Sequence, residues 1–298
     1  MKIDRRTIIL LSGPALLVIA AAAAVAVFTV SRDDESDSLP RYPGRIAVRE
    51  GCGVRHMFFD GKDPKEMCLP DVWAVLSVSR DGKRIAWDTG KGISVANSDG
   101  FNPVTLPLPP GANFGPTLSP DGNKMAFLHS ARDDGRYDIW VGSTSADNAE
   151  QVTNTKDVST VAWSPTGDLI AYIKGWSEVT LEGEIVLIHP NGEDETLLTR
   201  GDAPTWAPDG THLAFTHAGN IWTIGADGSD ARLLERNGES PAWSRDGRMV
   251  AFTREVPCRK PLCKERVFII EATGGQARGV GPTFVGPRSP VWLPDPFE

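Results

Sequence analysis

The ten residues WAPDGTHLAF (residues 206–215) place a Pro-Asp-Gly turn between two short apolar runs. Nearly the same phrase returns as WSPTGDLIAY (residues 163–172) and as WSRDGRMVAF (residues 243–252). Two apolar runs joined by a tight glycine turn are typical of a β-hairpin. Weaker copies around Gly82 and Gly122 extend the series at a spacing of about 40 residues, within the range of blade-type repeats. The chain is therefore built by repetition of one hairpin unit.

Two further apolar runs follow each hairpin, and they are clearest in the middle of the chain. One run covers residues 184–188 and the other residues 195–199, with the Asn191-Gly192 turn between them. This pattern predicts that each unit forms four short antiparallel strands. Such units pack face to face in a ring, because a single sheet cannot cover both of its own faces.

The two ends of the chain supply a sixth unit between them. Residues 289–295 match the first strand of a unit, as in residues 240–246, with no second strand after them. Residues 45–48 match the second strand of a unit, as in residues 84–87, with no first strand before them. Pairing of these two end segments leaves no sheet edge open. We therefore predict an all-β, six-bladed β-propeller of four-stranded blades over residues 45–298, with one blade shared by the N-terminal and C-terminal strands.

The repeated turns also carry a family resemblance. Ser119-Pro120-Asp121-Gly122 and Ala207-Pro208-Asp209-Gly210, each followed by an aliphatic-Ala-aromatic strand, resemble the WD-like Pro-Asp repeats of TolB-like six-bladed propellers. The resemblance covers about residues 45 to 295. It implies that partners enter the central channel or cover one face of the ring.

Some positions depart from the family pattern. Thr166 stands where the family has Asp, and Arg80 and Arg245 stand where it has Pro. TolB proteins also have an α/β domain before the propeller. We expect no such domain here, since an apolar run and a polar linker precede Arg45.

The N-terminal region predicts a membrane tether. Residues 1–7 include three basic side chains, residues 8–30 are almost entirely apolar, and residues 31–44 form a linker rich in Asp, Ser and Pro. A membrane-spanning helix needs about 20 apolar residues, whereas the core of a signal peptide has about 7–15. We therefore expect a transmembrane signal anchor with a cytoplasmic N-terminus and an extracytoplasmic propeller in a bacterial cell envelope. A long cleavable signal is the alternative, because Ala24-Val25-Ala26 fits a small-x-small cleavage site.

The four cysteines fit an oxidising compartment. Cys258 and Cys263 bracket a four-residue loop segment, and Cys52 and Cys68 fall in one predicted blade. We expect disulfides within these two pairs, although four cysteines allow three connectivities. A zinc site is the rival interpretation, but the spacing does not match paired Cys-x-x-Cys ligands.

Other function classes find little support in the sequence. The net charge is -8 and the basic residues are scattered, which argues against binding to nucleic acid. There is no Gly-x-Ser-x-Gly elbow, glycine-rich phosphate loop or His-x-x-x-His pair, so we expect no cofactor and no metal. The repeated tryptophans, such as Trp163 and Trp206, fit packing between blades, and the aspartates of the Asp-Gly turns fit turn chemistry.

Candidate binding residues lie at the predicted mouth of the channel. The residue four places before each repeat tryptophan, or its equivalent, varies while the scaffold around it repeats, as expected of a site on a rigid frame. These positions are Ala74, Phe114, Ser159, Asp202, Glu239 and Arg288.

Two loops on the same face add further candidates. Trp176 stands in a long polar stretch with no repeat partner, so we interpret it as an exposed interface anchor. Arg259 and Lys260, with Lys264 and Arg266, form a basic cluster that would steer an acidic partner or lipid headgroups.

Taken together, the sequence favours a membrane-tethered, monomeric propeller that binds a protein or peptide of the cell envelope. The alternative is a propeller enzyme of hydrolase or lactonase type, whose acidic or His residues would gather at the channel mouth from several blades.

Overall fold

The computed structural model describes residues 45–50, 53–58, 65–67, 76–89, 92–97, 102–132, 134–145, 148–256, 264–284 and 290–293. The predicted anchor and linker, all four cysteines and four of the candidate binding residues (Ala74, Arg259, Lys260 and Arg288) lie outside these ranges. Within the described ranges every regular element is a β-strand, and no helix is long and apolar enough to cross a membrane. The predicted all-β class is confirmed.

The chain forms short strands in the order that the repeat predicts. The strands are β1 (Arg45–Glu50), β2 (Gly53–Phe58), β3 (Lys65–Met67), β4 (Leu76–Val78), β5 (Arg84–Asp88), β6 (Ile93–Asn97), β7 (Val104–Thr105), β8 (Ala112–Leu118), β9 (Lys124–Ser130), β10 (Asp138–Ser143), β11 (Glu150–Gln151) and β12 (Val158–Trp163). They continue with β13 (Ile170–Ser177), β14 (Glu182–Ile188), β15 (Thr196–Trp206), β16 (His212–His217), β17 (Asn220–Gly225), β18 (Arg232–Glu235), β19 (Glu239–Trp243), β20 (Met249–Val256), β21 (Lys264–Glu271), β22 (Arg278–Phe284) and β23 (Val291–Leu293).

These strands pair into antiparallel sheets of consecutive strands. Four sheets have four strands each, in the orders β4-β5-β6-β7, β8-β9-β10-β11, β19-β20-β21-β22 and β23-β1-β2-β3. The last of these joins the two ends of the described chain, with Ile46 opposite Trp292. The fifth sheet has seven strands, because the long strand β15 pairs with β14 through its first half and with β16 through its second.

The core lies between neighbouring sheets. The aliphatic-Ala-aromatic phrase of each hairpin is buried, and its aromatic residue is almost inaccessible to solvent in each of Trp87, Phe127, Tyr172, Phe215 and Phe252. Each apolar cluster joins strands of adjoining units; one of them combines β9 and β10 with β12, β13 and β14. Trp206 lies in such a cluster, and its indole N–H donates to the Ala162 carbonyl of the preceding unit at 3.0 Å. Trp163, Trp206 and Trp243 are therefore packing residues, as predicted.

The repeated turns are held by a small hydrogen-bond network. Ser119 is buried; its hydroxyl donates to Asp121 at 2.6 Å and accepts from the Lys124 N–H at 2.9 Å. Ser244 makes the equivalent bonds to Asp246 and the Met249 N–H. These bonds tie the turn to the start of the following strand.

In the turns that depart from the repeat, other residues make the stabilising hydrogen bonds. Where Thr166 replaces the usual aspartate, Asp168 accepts the bond from the Ser164 hydroxyl at 3.0 Å instead. Arg80 donates to the Pro208 carbonyl, and Arg245 donates to the Arg80 carbonyl. The two arginines that replace proline therefore link turns of three different units at the same end of the sheets.

Removing the buried hydroxyl of these turns should destabilise the fold. Ser119→Ala and Ser244→Ala each remove one partner of a buried network, so we expect each to lower the free energy of unfolding by about 1–2 kcal/mol. Ala207 occupies the same position in another turn, which shows that the hairpin forms without the hydroxyl.

Denaturant unfolding of the full chain measures this effect, with Ser229→Ala as the control. Ser229 donates to Asp227 at the same 2.6 Å distance, but both side chains are exposed. We expect its loss to change the free energy of unfolding by under about 0.5 kcal/mol. Equal effects of buried and exposed substitutions would contradict this explanation of the turn.

Candidate functional site

The first strands of four successive units line a cavity. We call β4, β8, β12, residues 202–206 of β15, and β19 the inner strands. A cavity of about 280 Å³ lies where the first four converge. It is lined by Ser77, Pro116, Thr117, Val161, Ala162, Trp163, Pro165, Thr205 and Trp206.

Hydroxyl groups connect the inner strands to one another. The Leu118 N–H donates to the Ser77 hydroxyl at 2.9 Å, and the Trp163 N–H donates to the Thr117 hydroxyl at 3.2 Å. Each of these bonds joins an inner strand to the next one along the chain. The polar side chains of the cavity wall therefore serve partly to align neighbouring units.

Bulges interrupt the inner strands at the end away from the repeated turns. The register shifts between Phe114 and Thr117, between Asp202 and Thr205, and between Glu239 and Ala242, with a further shift in β12. In the first three strands the bulge contains a residue of positive φ just before a proline, namely Gly115 (63°), Ala203 (48°) and Ser240 (53°). β-bulges re-aim the neighbouring side chains. We call this end of the inner strands the mouth.

Phe114 and Ser159 lie near the mouth ends of β8 and β12, and their surroundings differ. Phe114 is half-buried and packs edge-on against the Tyr137 ring, with centroids 4.6 Å apart. The Ser159 hydroxyl, like that of Thr160 beside it, is shielded from solvent and has no hydrogen-bond partner among the described residues. Phe114 therefore contributes to packing. Ser159 places a hydroxyl that has no hydrogen-bond partner among the described residues at the mouth end of β12.

The interpretation of Trp176 as an exposed loop anchor is wrong. Trp176 lies in strand β13, is half-buried, and packs against the apolar cluster that joins β13 and β14 to β16 and β17. The reason is that the β13–β14 hairpin continues past a bulge between Lys174 and Ser177, which places the indole in the stem of the hairpin.

The structure does bring Asp202 and Glu239 into electrostatic contact, together with Glu182, which the sequence did not single out. Burial raises the pKa of Asp202 to about 6, and the negative charges of Glu239 and Glu182 add to this rise. One carboxylate oxygen of Asp202 is fully shielded and has no hydrogen-bond partner among the described residues. We call Glu182, Asp202 and Glu239 the mouth cluster.

Glu182 reaches the mouth through strand pairing. Gly183 pairs with Gly201, so that the next residues along each strand, Glu182 and Asp202, lie side by side. A side chain at either glycine would collide with buried atoms, since a Cβ on Gly201 would lie 2.6 Å from the Phe215 ring. Gly183 therefore lets β14 lie close to β13, and Gly201 lets β15 lie close to β16.

The Glu182 carboxylate also fastens the hairpin to the next unit. It accepts from the Ala218 N–H at 2.5 Å and lies 3.1 Å from Nδ1 of His217. Its side chain is largely buried, whereas Glu239 is exposed. The mouth cluster thus contains one carboxylate that is bonded to the next unit, one with a single shielded oxygen that lacks a partner among the described residues, and one that is open to solvent.

This arrangement suits recognition of positive charge. Within the described ranges, no three His, Cys, Asp or Glu side chains form a group that could hold a metal ion. A carboxylate with an unsatisfied oxygen accepts strong hydrogen bonds from ammonium or guanidinium groups. Of the predicted basic cluster, Lys264 and Arg266 lie in β21; the Arg266 side chain is half-buried and donates to the Gly279 carbonyl.

Asp202 should make stability depend on pH in a characteristic direction. Its folded-state pKa of about 6 lies above the ordinary value of 3.8, so between about pH 4 and 6 the folded state holds a proton that the unfolded chain has lost. This residue's contribution to stability therefore falls as pH rises through that window and stays low above it. Asp202→Asn should stabilise the protein at pH 7.5 by on the order of 2–3 kcal/mol at most.

Thermal or denaturant unfolding of wild type and variant at pH 4 and pH 7.5 tests this expectation. The difference between the two proteins should shrink to a fraction of its pH 7.5 value at pH 4, where the wild-type carboxyl is protonated in the folded state and about half protonated in the unfolded chain. Glu150→Gln, at an exposed carboxylate on β11, is the control and should show little change at either pH. A variant that is less stable at pH 7.5 would contradict the shielded position of Asp202.

Comparison with known proteins shows which family model and which relatives the chain resembles. A family model described as the TolB beta propeller domain matches residues 75–246, more than half of the chain. Among curated proteins, the uncharacterized protein YidR of Escherichia coli (strain K12) is 29% identical over 119 residues. That match covers 37% of this chain and 26% of YidR, so the chain aligns with about a quarter of this relative's length.

Solved structures share the fold. TolB from Acinetobacter baumannii superposes with a TM-score of 0.68 at 19% identity, covering 86% of this chain and 68% of that one. A chain of a nidogen/laminin complex superposes with a TM-score of 0.64 at 13% identity, covering 84% of this chain and 98% of that one. At such identities the likeness is one of fold.

Proposed function

The chain belongs to the TolB beta propeller domain family, and from this premise we propose that it is a binding module of the cell envelope. In this proposal the mouth cluster holds a positively charged side chain or terminal amine from a partner protein or peptide. Residues 8–30 tether the module to the membrane, and the propeller is monomeric and lies outside the cytoplasm. The sequence pattern of residues 1–44 supports the tether.

We also propose that the ring has six blades. Four four-stranded sheets each supply one blade, and the seven-stranded sheet supplies two, because β15 is the outer strand of one and the inner strand of the next. The pairing of β23 with β1 supports closure of the ring by the two ends of the propeller. A closed ring leaves the two open ends of the channel as its natural binding sites.

The unsatisfied carboxylate oxygen of Asp202 is the observation that supports the proposal most strongly. A shielded carboxylate oxygen without a hydrogen-bond partner costs free energy, even though the Ala203 N–H bonds this carboxylate, and proteins tolerate such atoms mainly where they have a use. The bulge at Ala203 directs this part of β15 away from the regular ladder. A ligand N–H group would supply the missing hydrogen bond and a compensating charge in one contact.

The neighbouring carboxylates determine the ligand charge that the site favours. Glu182 and Glu239 make the site more negative and raise the proton affinity of Asp202. An ammonium or guanidinium group relieves that repulsion, whereas a ligand carboxylate increases it. Recognition should therefore weaken below about pH 6, where Asp202 takes up a proton in the free protein.

An array of random hexapeptides probed with the purified full chain tests this proposal. At pH 7.5 we expect bound peptides to be enriched in Lys and Arg. Asp202→Asn should lower their binding by at least about tenfold, which corresponds to about 1.4 kcal/mol. Wild type should lose affinity for the same peptides at pH 5.

Glu150→Gln is the matched control, because it neutralises an exposed carboxylate on β11, away from the mouth. It should bind the array as wild type does. Binding that ignores basic residues, or that survives Asp202→Asn unchanged, would contradict the proposed function.

A further inference from the structure

The tip of the β13–β14 hairpin exposes apolar side chains beside the mouth cluster. We call residues 178–181 the hairpin tip. Val179 is 93% exposed and Leu181 is 59% exposed. Leu181 directly precedes Glu182, so the apolar tip and the acidic mouth cluster are continuous along the chain. Exposed apolar residues that cluster beside polar groups are a common mark of interaction sites.

The backbone of the tip indicates that Leu181 is not needed for the turn. Its φ is 57°, a left-handed conformation that Gly or Asn adopts more readily than Leu. Nine non-glycine residues of the described chain have positive φ, and Leu181 alone among them has a large apolar side chain. The others are Asn102, Lys156, Asp194, Ala203, Ala218, Asp230, Asn237 and Ser240. Leu181 is exposed, and a leucine side chain is unfavourable in this backbone conformation. The fold itself therefore does not explain why leucine stands at this position.

The tip is held firmly at the mouth on both sides. The Leu181 N–H donates to the Ser177 carbonyl at 2.7 Å, which closes the turn. Below it, the Gly175 N–H donates to the Asp157 carbonyl at 3.0 Å, and Glu182 binds the Ala218 N–H of the next unit. The apolar side chains are therefore presented at a fixed place relative to Asp202.

We propose that the hairpin tip recognises an apolar residue of the same partner segment whose basic residue binds at the mouth cluster. This inference rests on the proposed function and specifies its ligand as an extended protein segment with a Lys or Arg two residues from an aliphatic or aromatic side chain. Residues i and i+2 of an extended segment share one face and lie about 7 Å apart. That spacing suits two adjacent subsites.

Charge complementarity favours a basic protein segment over other occupants. Glu178 lies in the tip itself, and Glu182, Asp202 and Glu239 lie beside it. This concentration of negative charge opposes approach to anionic lipid headgroups. It also opposes self-association through two copies of the same acidic surface. A segment that combines a cation with apolar neighbours complements both halves of the site.

Titrations of the full chain with three capped pentapeptides test the inference: Leu-Ser-Lys-Ser-Leu, Ser-Ser-Lys-Ser-Ser and Leu-Ser-Glu-Ser-Leu. Wild type should bind the first at least tenfold more tightly than the second, and should not bind the third measurably. The double variant Val179→Thr, Leu181→Asn should bind the first peptide only as tightly as the second. Its affinity for the second should equal that of wild type.

The double variant should also fold, because Asn is favourable at positive φ. We expect its melting temperature to equal or exceed that of wild type, which separates a binding role from a structural one. Val104→Thr and Leu197→Asn are the matched controls, since their side chains are 57% and 58% exposed on β7 and β15. Both should keep the wild-type preference for the first peptide.

Three outcomes would overturn the inference. A lysine preference without any preference for flanking leucine would refute the apolar subsite and leave the proposed function intact. Absence of any lysine preference would refute the proposed function and this inference with it. Tip-dependent binding to phosphatidylglycerol vesicles, or tip-dependent dimerisation in sedimentation runs, without a leucine preference would assign the tip to lipid or to a second copy.

Discussion

Burial between neighbouring sheets is the constraint on which the rest of this structure depends. Where the structure describes side chains, the apolar clusters lie between units, because the aromatic residue of a hairpin, such as Phe127 or Tyr172, is covered by the adjoining unit. The pairing of β23 with β1 brings the two ends of the propeller into one sheet, so that the terminal segments are also paired. Inner strands of neighbouring units are then held together by apolar contacts and by bonds such as that from the Trp206 indole to the Ala162 carbonyl.

This rigid frame explains how the mouth tolerates unfavourable groups. The bulges of the inner strands place residues in left-handed backbone conformations, and Asp202 keeps a shielded carboxylate without a full set of partners. Each feature costs stability, so the surrounding packing must compensate. The costs are gathered at one end of the sheets, whereas the other end has the regular Ser-Asp turns. That asymmetry is what distinguishes the mouth from the turn end as the place for recognition.

The repeat made most of the fold predictable, because identical turn and strand phrases specify identical hairpins. The site was less predictable, since it depends on which strands pair and in which register. The sequence indicates Asp202 and Glu239 as variable positions in a repeated frame, but Glu182 reaches them only through the pairing of Gly183 with Gly201. Trp176 was misplaced for the same reason, as the length of the β13–β14 hairpin is set by a bulge that leaves no clear sequence signal.

The protonation of Asp202 connects the fold to the proposed function, and it is directly measurable. Carbon-13 NMR of the side-chain carboxyl, assigned with Asp202→Asn, gives its pKa in the free protein and in the presence of the Leu-Ser-Lys-Ser-Leu peptide. The free protein should show a pKa of about 6, and saturation with the lysine peptide should lower it, because the ammonium group stabilises the carboxylate. An ordinary pKa near 3.8 in the free protein, or a pKa that the peptide leaves unchanged, would contradict the central claim that this carboxylate binds a positively charged group of the partner.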